Sequence, residues 1–293
     1  MKTCISTYSF WRMMRDGWTM FDVIDKVKEL GADGVEFVLD DSVPEGETLE
    51  ERAVKLAEYA RSLGLETPIY TTGANFFQKD PAAEIKRVER HVDAASEAGI
   101  KLMRHDITAG FYAGYEGLQT FDAVLPTVSA AIREVASYAQ SKGVTTCSEN
   151  HGRLVQDSDR MLAVFNAVAH PNYKYLCDIG NFGGVDEDCA KAVSKLLPFS
   201  AHVHAKDCFW RSGKERDPGF GWGRTRAGNF RRATIYGQGD APVFQILYNI
   251  RSSGYDGFVS LEFEGIEENV LGVTQSFANL KRDIAEINSV FDK

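Results

Sequence analysis

The sequence predicts an α/β protein built as a closed (β/α)8 TIM barrel, a single domain over residues 1–293. Three observations point there. Short β-type runs alternate with longer helical patterns from end to end, the signature of βαβ units around a parallel sheet. Eight strand-helix pairs fit a length close to the roughly 250 residues typical of such a barrel. The competing open, doubly wound sheet ordinarily carries a glycine-rich phosphate loop after its first strand, and here that place is bulky and aromatic.

Taken in order, the first strand is expected over Thr3 to Ser9. A helix from about Thr19 follows, with Phe21, Val23, Ile24, Val27 and Leu30 at helical spacing before Gly31 stops it. Asp33 to Leu39 reads as the second strand, and a helix through Leu56 and Tyr59 to Leu63 ends at Gly64. Leu65 to Thr71 is the third strand. Asp80-Pro81 opens the next helix with an N-cap and a proline at its first position; it closes at Gly99, before the fourth strand, Ile100 to Asp106. A helix over Phe121 to Lys142, a fifth strand over Val144 to Glu149, a helix over Ser158 to Ala169 and a sixth strand over Tyr173 to Asp178 continue the rhythm. The helix Asp186 to Leu197 leads to the seventh strand, Ser200 to Lys206. A long loop then reaches Asp240. The helix Ala241 to Arg251, an eighth strand over Gly257 to Glu262 and a last helix from Val270 to Val290 complete the barrel.

Composition narrows the function classes. With 33 basic and 42 acidic residues the net charge is -9, which argues against nucleic acid or an anionic membrane as the main partner. The five cysteines are scattered without a C-x-x-C pair, so neither a disulfide frame nor a structural zinc site is suggested and a cytoplasmic location fits. The first residues lack the long apolar segment of a signal peptide or membrane span.

The chemistry gathers at the strand ends. In Ser200 to Asp207 the side chains of His202, His204 and Lys206 share one strand face, and buried imidazole and ammonium groups need acidic or metallic partners. Glu149 in SENHG, Asp178 in CDIGN and Glu262 in SLEFEG end the fifth, sixth and eighth strands. Active sites of such barrels sit at these C-terminal ends. Three carboxylates in one mouth repel by about 3 kcal/mol per pair if roughly 5 Å apart at an effective dielectric near 20. Such a site must hold protons or a cation. With His204, three oxygens and one nitrogen suit Mn2+, Mg2+ or Co2+, and Zn2+ is also compatible. Glu264 competes with Glu262 for the inward position, since both fall on one strand face, and His202 is expected to act one step deeper as a hydrogen-bonded supporting residue.

In this order, SENHG, CDIGN, HVHAKD and SLEFEG resemble the motifs of the xylose isomerase-like TIM-barrel family of sugar isomerases, epimerases and inosose dehydratases, along essentially the whole chain. The resemblance implies that Glu149, Asp178, His204 and Glu262 bind a divalent metal, usually manganese, magnesium or cobalt. It also implies that Glu149 and Glu262 double as acid/base groups on opposite faces of a ketose or inosose. Many relatives carry a histidine three residues after the aspartate; here Asn181 holds that place and is expected to face substrate. The ketose 3-epimerase branch has a glutamate six residues after the first ligand and an arginine six after the ligand histidine, and this chain has Val155 and Trp210.

The expected reaction is proton abstraction next to a carbonyl of a small carbohydrate through an enediolate, giving epimerisation or isomerisation, with dehydration of an inosose-like keto-polyol as the alternative. An abasic-site endonuclease is disfavoured by the acidic charge and by Asn181, and an inactive sugar-binding protein by the complete ligand set. Lys206 is expected to polarise the carbonyl or a leaving hydroxyl, while Glu36 and His151 are expected on substrate hydroxyls. The basic stretch at about 208–236 is expected to be a loop. One role for it is a lid, with Trp210 stacking on a sugar face and Arg224 and Arg226 holding an anionic group. The other is docking on a second subunit of a homo-oligomer.

Overall fold

Strand and helix alternate until the sheet closes on itself. The computed structural model describes residues 1–292. Its first half carries β1 (Lys2–Ser6), α1 (Trp11–Arg15), α2 (Met20–Leu30), β2 (Gly34–Val38), α3 (Leu49–Ser62), β3 (Tyr70–Thr72), α4 (Pro81–Glu97), β4 (Leu102–His105) and α5 (Phe121–Ser141). Next come β5 (Thr145–Glu149), α6 (Ser158–Val168), β6 (Tyr173–Asp178), α7 (Cys189–Leu196) and β7 (Ser200–Ala205). The remainder holds β8 (Asp207–Arg211), β9 (Gly223–Arg224), β10 (Phe230–Thr234), α8 (Val243–Ser252), β11 (Phe258–Leu261) and α9 (Asn269–Phe291). The barrel closes in the order β1-β11-β7-β6-β5-β4-β3-β2, a (β/α)8 TIM barrel in which β11 is the eighth strand.

Local signals explain the helix boundaries. Thr19 with Asp22 and Thr48 with Glu51 form capping boxes at the starts of α2 and α3. Asp80 caps α4 through the Ala83 N–H, with Pro81 at its first turn. Gly31 ends α2 at φ 77°, a left-handed conformation that a side chain would disfavour.

Four expectations are corrected. The first strand stops at Ser6, and Thr7–Phe10 is a 3-10 turn leading into α1. The third strand shrinks to Tyr70–Thr72 because Pro68, just upstream, has no N–H to give a sheet. The helix expected from Asp186 starts at Cys189, where Asp188 caps it. The basic stretch expected as a loop is largely an antiparallel three-stranded sheet in the order β8-β10-β9, with Arg231 opposite Trp210. Its arginines lie over aromatic rings, Arg224 at 3.9 Å from the Phe230 centroid and Arg232 at 5.5 Å from that of Trp222. Cation–π contact gives these charges a folded role.

The chain divides into two compact units, Met1–Glu36 with Cys177 to the C-terminus, and Phe37–Leu176. No helix among the described residues is long and apolar enough to cross a membrane. All five cysteines are buried free thiols.

Candidate metal centre

In the first unit, alternation along β7 sends His202, His204 and then Lys206 inward, and all three are buried. Register brings their neighbours alongside: Ser260 of β11 pairs with His204, and the Glu262 N–H donates to the Ala205 carbonyl at 3.1 Å. On the other side the Ile179 N–H donates to the His204 carbonyl at 3.1 Å, which places Asp178 beside the same strand. Asp178, His204 and Glu262 therefore each present a ligand atom within 4.8 Å of those of the other two.

Each of these groups is held in orientation. One Asp178 oxygen, Oδ1, accepts the N–H groups of Gly180 and Asn181 at 2.8 and 2.7 Å, leaving Oδ2 toward Lys206 at 3.4 Å. The Lys206 ammonium stands 2.5 Å from Glu262 and 3.3 Å from Glu264. His204 Nδ1 lies 3.8 Å from Glu262, and its Nε2 lies 2.9 Å from Glu36. Asn181 Oδ1 accepts from Lys206 Nζ at 3.5 Å and from Arg231 Nη2 at 3.4 Å.

Charge tests whether a cation fits. Glu36, Asp178, Glu262 and Glu264 face two basic side chains, Lys206 and Arg231. With neutral imidazoles two negative charges are left over, the amount one divalent ion supplies. The hard oxygen donors with a single imidazole suit such an ion.

In the second unit, Glu149 ends β5 and is buried, with Arg104 Nη2 of β4 at 2.6 Å. The same nitrogen reaches Asp106 at 2.7 Å, and Asp106 accepts from His151 Nδ1 at 2.9 Å. The hydrogen bond to Asp106 raises the His151 pKa against the effect of burial. Burial pushes the Asp106 carboxyl up, but Arg104 and His151 outweigh it and hold it below its usual value. Cys147, two residues before Glu149, is fully buried with Ile69 and Leu176 and lies among apolar side chains.

The structure brings together Asp178, Asn181, His204, Lys206 and Glu262. Glu36, expected on a substrate hydroxyl, is instead wholly buried behind His204. His151 belongs to the Asp106 network. Trp210, expected to stack on a sugar, packs against Gly183, where any side chain would meet the indole, and lines a cavity of about 510 Å³ with Asp186, Cys189 and Asp240. Arg224 and Arg226, expected to hold an anion, are exposed on the β9 hairpin. Among the arginines of the basic stretch, Arg231 reaches Asn181, and its Nε also donates to Cys208 Sγ at 3.0 Å. Alternation along β10 would have separated it from Arg232, had that stretch been read as a strand.

Fold and strand-end chemistry define a TIM-barrel protein with a carboxylate-histidine centre. A family model described as xylose isomerase-like TIM barrel matches residues 24–283, and the chain belongs to that family. No curated protein matches. Among solved structures, the chain is similar to an L-ribulose 3-epimerase at 14% identity and TM-score 0.73, covering 99% of this chain and 97% of the other. The probable 3-DHS dehydratase AsbF involved in petrobactin synthesis from Bacillus anthracis matches at 17% identity and TM-score 0.72, covering 96% and 99%. The IOLI protein with a bound zinc atom matches at 16% identity and TM-score 0.72, covering 99% and 98%.

Proposed function

We propose that the protein is a divalent-metal-dependent cytoplasmic enzyme that moves a proton on a carbon next to a carbonyl of a sugar or sugar-derived keto-polyol, as an epimerase or isomerase. The carrying observation is the ligand set of the first unit: one atom each from Asp178, His204 and Glu262 lies within 4.8 Å of the others, and Glu149 is proposed as the fourth ligand. Epimerase and dehydratase relatives of the same fold, one of them zinc-bound, support the class.

A divalent ion held there, Mn2+ first by the donor set with Mg2+, Co2+ or Zn2+ as alternatives, would supply Lewis acidity toward a carbonyl oxygen. The chain supplies the proton traffic. Glu262 and Glu149 are the two bases, each held against a cation, Lys206 at 2.5 Å and Arg104 at 2.6 Å. Those cations favour the ionised carboxylates and leave them able to accept a proton from carbon on one side and return it on the other. At substrate hydroxyls beside them Arg231 donates, and Asn181 donates or accepts.

Lys206 favours a second reading, dehydration. An ammonium beside a base can protonate a departing β-hydroxyl once the neighbouring carbon has lost its proton. Incubating ketoses, inososes and acidic keto-polyols with protein and Mn2+ in D2O, followed by NMR, separates the two. Deuterium at carbon with retained hydroxyls marks the epimerase or isomerase, and loss of water marks the dehydratase. A panel showing neither reaction refutes the proposal, and cleavage of abasic DNA would replace it with a nuclease.

A further inference from the structure

Glu36 sits on β2 in register with Ser6 of β1. In the order β2, β1, β11, β7 two strands separate it from His204, so the two side chains meet across the barrel interior. His204 Nε2 lies 3.0 and 2.9 Å from the two Glu36 oxygens. Both Glu36 oxygens face this one ring nitrogen, the geometry of a carboxylate that accepts a single N–H, which puts the proton of the contact on His204 Nε2. A neutral imidazole carries one N–H, and its lone pair then falls on Nδ1, the nitrogen that faces Glu262.

His202 braces the arrangement. Its Nε2 lies 2.7 Å from Ser260 Oγ and 3.6 Å from Glu36, and Ser260 is the register partner of His204. Glu36, His202 and His204 also have ligand spacing of their own, within 4.8 Å. A cation among those three would have to replace the Nε2 proton that the Glu36 contact uses.

We infer that Glu36 is a positioning residue: it selects the Nε2–H tautomer of His204 and fixes its ring so that Nδ1 is the metal-binding nitrogen. This rests on the metal reading proposed above and adds a role for a residue outside the ligand set. Carboxylates that hold a ligating histidine in this way typically change metal affinity by about 10–100-fold when replaced.

The test is calorimetric titration of EDTA-treated wild type, Glu36→Gln and Glu36→Leu with Mn2+, alongside long-range ¹H–¹⁵N spectra of the histidine rings. Glu36→Gln keeps an acceptor oxygen and should weaken Mn2+ binding by about tenfold; Glu36→Leu removes it and should weaken binding by about 100-fold. The wild-type spectrum should show His204 as the Nε2–H tautomer. Folded variants with the wild-type dissociation constant, or His204 found as the Nδ1–H tautomer, would overturn the inference. If Glu36→Leu fails to fold, Glu36→Gln and the wild-type spectrum decide. A wild type that takes up neither Mn2+, Co2+ nor Zn2+ would instead bring down the metal reading itself.

Discussion

Glu149 ends β5 beside Arg104, and Glu262 follows β11 beside Lys206. Replacing either with Gln keeps the shape and removes the base, so turnover should fall by about 10²–10⁴-fold with the far-UV spectrum unchanged. A fully active Glu149→Gln or Glu262→Gln enzyme would refute the two-base scheme. Lys206 is a different case, because three carboxylates lie within 3.4 Å of its ammonium. Lys206→Met should destabilise the metal-free protein by about 3–5 kcal/mol, since removing one partner strands buried charge. Mn2+ should recover part of that loss, and urea unfolding with and without the ion measures it.

At the scale of elements, the β8-β10-β9 sheet is pinned from outside by Asp186. That residue adopts φ 61° and accepts from Thr225 Oγ1 at 2.7 Å, Asn229 Nδ2 at 2.8 Å and the Ala227 N–H at 2.6 Å. Asp186→Ala should free the hairpin and raise its rate of cleavage in limited proteolysis between residues 212 and 229, at about 1–3 kcal/mol of stability. Unchanged protection would show that the pin is dispensable. This sheet is also where the sequence was least legible. Arg231 and Arg232 point to opposite sides of β10, one toward Asn181 and the other over Phe209 and Trp222. In sequence they merge into a basic, glycine-rich run that mimics a loop. The barrel strands were easier to read because both their faces are buried and their ends meet sharp stops. The ligand-type residues were legible for a related reason: charge at the end of an otherwise apolar run is conspicuous. Glu36 was legible as an inward charge, but its partner could not be read, since His204 lies 168 residues away in the chain.

For the molecule as a whole, pH dependence follows from two histidines buried in the second unit. Burial lowers the pKa values of His91 and His105 from 6.5 to about 4. Between those values the unfolded chain binds protons that the folded one refuses, so stability is complete above about pH 6.5 and falls as pH drops toward 4. The loss is about 3 kcal/mol per histidine at most. Urea unfolding should show a lower free energy at about pH 4.5 than at about pH 7, with a shallower slope in His91→Asn, and equal stability at the two pH values would contradict it. The most direct test of the account is an anomalous difference map from crystals grown with Mn2+. One peak bound by Glu149, Asp178, Glu262 and the Nδ1 of His204 is the predicted result. A map without a peak there, or with the ion among Glu36, His202 and His204 instead, would contradict it.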